Sequence, residues 1–170
     1  MRTARSRLEL SNRVDRQAEL SSLARDVVLT ATGILALAAV AVIHLVQIVP
    51  TFKATPLLDG AFVVVIGAAV ALALRLVIRS DSSTWVAVGV LSVGAIAGYV
   101  FTRIISTPLD NQDVGNWACM LAIAALFVET ALVAMSRYAV AAKRALRLAP
   151  VSAHATNDGR ARLSEQLESA

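Results

Sequence analysis

The chain holds one cysteine and two histidines in 170 residues, and it lacks every complete set of side chains that ordinarily carries catalysis. With Cys119 alone, an intramolecular disulfide and a thiolate zinc site are both excluded. Haem between two histidines is excluded too: His154 lies in a polar tail, and pairing His44 with Met120 or Met135 is the one ligation left. Hydrolytic zinc lacks its His-Glu-His spacing, a serine nucleophile has no paired base in the apolar runs, and no glycine-rich loop is placed to cradle phosphate. Aromatic residues make up only 5% of the chain, so the arginines of the tails have no stacking platforms with which to hold nucleic acid. Of the function classes, an enzyme is therefore the least supported, and neither cofactor nor metal is expected.

What the chain does have is four long apolar runs, at about 27–49, 60–78, 85–105 and 117–138. A hydrocarbon core of about 30 Å needs roughly 20 residues at 1.5 Å each, and a soluble domain this small has no use for four such runs. The expected fold is all-α: a four-helix transmembrane bundle of up-down topology in 27–138. A basic arm at 1–26 precedes it and a basic, largely disordered tail at 139–170 follows. The first run, about 23 residues behind a long polar leader, exceeds a signal peptide's apolar stretch of about 7 to 15 and reads as an uncleaved anchor. Leu10, Val14 and Ala18 in the leader suit either a short helix at the inner headgroups or a disordered arm.

Orientation follows from charge. Of the 16 Lys and Arg residues, all but Lys53 and Arg103 lie in the two tails or beside the 79–84 turn. Basic residues flanking spans are retained on the cytoplasmic side, so both termini are expected there, in the plasma membrane, with the connections around Pro50–Gly60 and Ser106–Asn116 outside. Pro50, Pro56 and Pro108 punctuate those outer connections. Trp85 and Trp117 are expected at opposite headgroup layers, and Asp81 or Ser82 as the cap of the third span. Thr55-Pro-Leu-Leu-Asp-Gly60 resembles Thr107-Pro-Leu-Asp110, which either records a duplicated hairpin or is shared turn chemistry. In the third span, Gly94 and Gly98 permit close backbone approach, either within the bundle or in a homo-oligomer.

The informative residues are the polar ones inside the runs. His44 and Gln47 share a face of span one, Tyr99 and Arg103 share a face of span three, and Glu129 lies near the middle of span four. An ionisable group at mid-membrane costs roughly 2.5 to 3.5 kcal/mol, so such residues turn toward the bundle interior and a partner. Side chains lean toward their helix N-terminus, so His44 and Arg103 lean inward and Glu129 leans outward, on converging paths. Counting 1.5 Å per residue from Pro50 and Trp117 leaves a vertical gap of about 10 Å between His44 and Glu129, closed by reach or by a water. An outward-facing pocket of His44, Gln47, Tyr99, Arg103 and Glu129 is the expected ligand site. Against it stand plainer roles: His44 satisfied by Gln47 or a backbone carbonyl, Arg103 reaching Asp110 or Asp113, and a protonated Glu129 bonded to Ser92.

His44-Leu-x-x-x-x-Pro50, Gly98-Tyr-x-x-x-Arg103, Pro108, Asp113-Val-Gly-Asn-Trp117 and Phe127-Val-Glu129 together resemble a group of small, uncharacterised four-span membrane proteins of high-GC Gram-positive bacteria, of actinobacterial type. The resemblance covers about 43–135 and leaves out both tails. It implies the four-span fold and carries no activity with it. Two functional classes follow from the residues: a membrane protein binding a small ligand, proton or lipid headgroup in the outer pocket, and an accessory or scaffold subunit whose polar residues lock its own packing or a partner membrane helix.

Overall fold

A computed structural model describes residues 2–51, 56–105, 115, 117 and 119–168. Four helices make up the fold: α1 (Arg2–Thr51), α2 (Pro56–Ile78), α3 (Ser82–Ile104) and α4 (Met120–Glu168). Each is long and apolar enough to cross a membrane, over Asn12–Ile48, Gly60–Ile78, Ser82–Ile104 and Met120–Ala145. Large apolar side chains such as Leu35, Val64 and Phe127 point outward, the arrangement of a multi-pass membrane bundle rather than of a protein shielded from lipid. Neighbours run in a ring, α1 against α2, α2 against α3, α3 against α4, and α4 back to α1. The α1–α2 and α3–α4 connections share one end of the bundle, the loop end; the tight α2–α3 turn lies at the other, the turn end.

Local chemistry accounts for the boundaries. Pro56 opens α2, where its missing N–H removes a donor that has no helical partner in any case. Asp81 caps α3: its carboxylate accepts from the Thr84 backbone N–H at 2.8 Å, from the Thr84 hydroxyl at 2.5 Å and from the Ser83 hydroxyl at 3.0 Å. Those bonds, the Thr84 hydroxyl first, hold the Asp81 carboxyl below the ordinary carboxylate range. Arg75 of α2 donates to the same Thr84 hydroxyl at 3.0 Å, tying the two helices across the turn.

The turn-end half is the packed half. Leu37 and Val40 of α1, Ala69 and Leu76 of α2, Val88 of α3 and Leu132 of α4 form its core. Trp85, in the first turn of α3, is fully buried among the helices, with its indole N–H donating to the Ser80 hydroxyl of the turn at 3.1 Å. The reason is Gly33, where a Cβ would stand 2.7 Å from Trp85 Cη2. The absent side chain is the slot that admits the ring. Ser136 of α4 donates its hydroxyl to the Trp85 carbonyl and packs against Gly89, where an added Cβ would meet Ser136 Oγ at 2.6 Å.

Gly94 and Gly98 do not join helices within the chain, as nothing lies within 4 Å of a Cβ built on either; Gly33 and Gly89 take that part instead. Trp117 precedes α4 rather than opening it, because Gly115, at φ 79°, turns the backbone through a conformation that only glycine adopts freely. The leader is continuous with α1 as one helix, not a separate surface helix or an unstructured arm. The tail expected to be disordered from Pro150 continues α4 to Glu168. Asp110, Asp113, Thr55 and the Thr107–Asp110 half of the repeat lie outside the described residues, whereas Pro56–Gly60 of the other half begin α2.

Candidate functional site

Above the packed half, toward the loop end, the four helices separate around a cavity of about 680 Å³. That volume lies within the range of roughly 300 to 1,000 Å³ typical of small-molecule sites. The structure brings all five expected residues to its wall: His44, Gln47, Tyr99, Arg103 and Glu129.

His44 is 6% and Glu129 2% exposed, and His44 Nε2 lies 3.7 Å from Glu129 Oε1. This is beyond hydrogen-bonding distance but close enough for each group to govern the other's charge. The other ring nitrogen, Nδ1, lies 2.9 Å from the Val40 carbonyl one turn back on α1. Ser92, at a similar depth on α3, gives its hydroxyl to the Val88 carbonyl at 3.0 Å, so it is not the partner that Glu129 was weighed against. Nearer the loop end, the Arg103 guanidinium lies over the Tyr99 ring, 4.8 Å from its centroid. Tyr99 packs edge-on to Trp117 at 6.0 Å and donates its hydroxyl to the Trp117 carbonyl at 3.3 Å. Arg103 is 7% exposed, which turns it into the bundle instead of out to solvent.

The chain matches no protein-family model, no curated protein and no solved structure.

The sequence reading assigned no wall to α2, yet Phe62 packs edge-on to His44, ring centroids 5.4 Å apart and planes at 70°. A signal was present: Phe62 is the single aromatic in the 60–78 run and lies at about the depth of His44, each about two turns from its loop-end helix terminus. Gly94, Gly98 and Cys119 also line the space and had been read as packing residues or left without a role. Among the described residues no group of three His, Cys, Asp or Glu side chains is placed to hold a metal ion. The cavity offers an apolar volume with a buried acid-base pair deep inside and a cation nearer the loops.

Proposed function

We propose that this chain is a plasma-membrane protein, both termini cytoplasmic, that binds a small amphiphilic molecule in the cavity between its four helices. The observation that carries the reading is the His44–Glu129 pair, buried in the wall of an apolar space large enough for a ligand. A packing device would be closed around such a pair, since unfilled space beside buried polar groups forfeits both dispersion and hydrogen bonding. The basic residues grouped at the turn end support a cytoplasmic assignment for that end.

Cys119 provides a native probe, being the chain's single cysteine and part of the cavity wall. In lipid nanodiscs, octanol is expected to slow alkylation of Cys119 by N-ethylmaleimide. Gly94→Leu, whose side chain would grow into open space, is expected to abolish that protection without lowering thermal stability. Unchanged alkylation by octanol and by charged octyl compounds alike would overturn the reading. A second reading, an accessory subunit that receives a partner membrane helix, is favoured by the open surface at Gly94 and Gly98. It expects Gly98→Leu to release a co-purifying membrane protein or a second copy while octanol protection of Cys119 stays absent in every variant. Reaction of Cys119 with a membrane-impermeant maleimide added outside intact cells tests the orientation.

A further inference from the structure

The Val40 carbonyl fixes the chemistry of the buried pair. A carbonyl has no proton to give, so His44 Nδ1, 2.9 Å away, carries the hydrogen of that bond. In the neutral ring, Nε2 is then a bare lone pair, and the Glu129 carboxyl lies 3.7 Å from it. A carboxylate is likewise only an acceptor. Two acceptors facing one another within a membrane-spanning bundle repel unless one proton lies on either of them, or a donor enters and bonds both. The surrounding groups do not change this account. Phe62 of α2 presents a ring edge, and Ser92 of α3 has its proton on Val88. The other titratable or charged groups on the wall are Tyr99 and Arg103 of α3, stacked together near the loop end, and the Cys119 thiol ahead of α4; α2 contributes none among the described residues.

We propose that the occupant of this cavity is an apolar amine, whose primary or secondary ammonium donates one N–H to His44 Nε2 and another to the Glu129 carboxylate, and that it enters in exchange for one proton. The proposal rests on the cavity being a ligand site and names the class of ligand. Empty of ligand, the pair holds one proton, on one partner or the other, and no net charge. When R–NH3+ binds, that proton leaves to solvent, Glu129 becomes a carboxylate, and the ammonium charge replaces the proton charge. No covalent bond forms or breaks other than that to the exchanged proton, and the total charge in the low-dielectric site is the same before and after. A quaternary ammonium brings charge without an N–H and leaves Nε2 unsatisfied. A carboxylate brings a third acceptor.

The test is calorimetry on the full chain in nanodiscs, with octylammonium chloride titrated near neutral pH in two buffers of different protonation enthalpy. Close to one proton released per amine bound is expected, with affinity rising about tenfold per pH unit wherever the pair is protonated. Octyltrimethylammonium and octanoate are expected to bind at least tenfold more weakly. Glu129→Gln supplies its own N–H to His44 and should remove both the proton release and the preference for octylammonium over octanol; Glu129→Asp should retain the proton release. Absence of proton release in the wild type, or octyltrimethylammonium or octanoate binding as tightly as the amine, would overturn the proposal. If octanol protects Cys119 and the amine does no better, the amine class falls and the cavity stands; if no octyl compound protects Cys119, both fall.

Discussion

The two halves of the bundle use the same four helices in opposite ways. Along α3, Trp85 and Gly89 lie in the turn-end half and meet filled recesses: the indole occupies the Gly33 slot and Ser136 occupies the space at Gly89. One to two turns on, Gly94 and Gly98 of the same helix face open space and line the cavity. The buried polar groups show a related contrast. In the packed half, Ser80, Asp81, Thr84 and Ser136 each meet a partner at hydrogen-bond distance, whereas in the other half His44 and Glu129 stand 3.7 Å apart. A membrane bundle has no hydrophobic force between its helices, so close packing is what holds it. Concentrating that packing at one end leaves the other end free to remain open.

Substitutions sharpen this contrast in a graded series. Trp85→Ala empties the centre of the packed half and should cost about 3 to 5 kcal/mol in detergent unfolding, the largest effect in the molecule. Gly33→Val, which drives a side chain into the indole, should cost about 1 to 3 kcal/mol or more and should be partly relieved when combined with Trp85→Leu. Next comes a matched pair on α3. Gly89→Ala, pressed against Ser136, should destabilise, while Gly94→Ala should stabilise by about 0.5 to 1 kcal/mol through helix propensity alone. Equal losses at both positions would dissolve the distinction between the halves.

The smallest effect concerns the turn. Because the native fold depresses the Asp81 carboxyl, the cap's contribution is fully present above the carboxyl's unfolded pKa and is lost as pH falls through that value toward the lower native one. Wild type and Asp81→Ala should therefore differ fully in melting temperature above about pH 4 to 5 and draw together progressively as pH falls below that, whereas a constant difference would mean that the carboxylate is not the capping species.

The four spans were legible because bilayer thickness dictates helix length, and run length survives without any knowledge of partners. The meeting of His44 with Glu129 was legible for a related reason: in an up-down bundle the lean of each side chain follows from chain direction. The distance was less so. The estimate of about 10 Å took Trp117 as the first residue of span four, but Gly115 turns the chain and α4 begins at Met120, which shifts the reference by about 4 to 5 Å. The burial of Trp85 was not legible because interface preference is a statement about an isolated indole. Only the missing side chain at Gly33, 52 residues earlier in the chain, together with Ser80 as acceptor, shows that the ring goes inside. Phe62 was overlooked because an aromatic in an apolar run is ordinary until a histidine on a neighbouring helix is placed at its height.

Trp85 and Gly33 also bear on how the chain is made. Each pair of consecutive helices forms a hairpin that a translocon can release as a unit, the first complete before the second has been synthesised. The indole of the second hairpin seats across the middle of the ring on the bare backbone of the first, between helices that are not otherwise adjacent. Assembly therefore has a natural final step, the closing of that latch, and a chain whose second hairpin is delayed waits in the lipid with an exposed notch at Gly33.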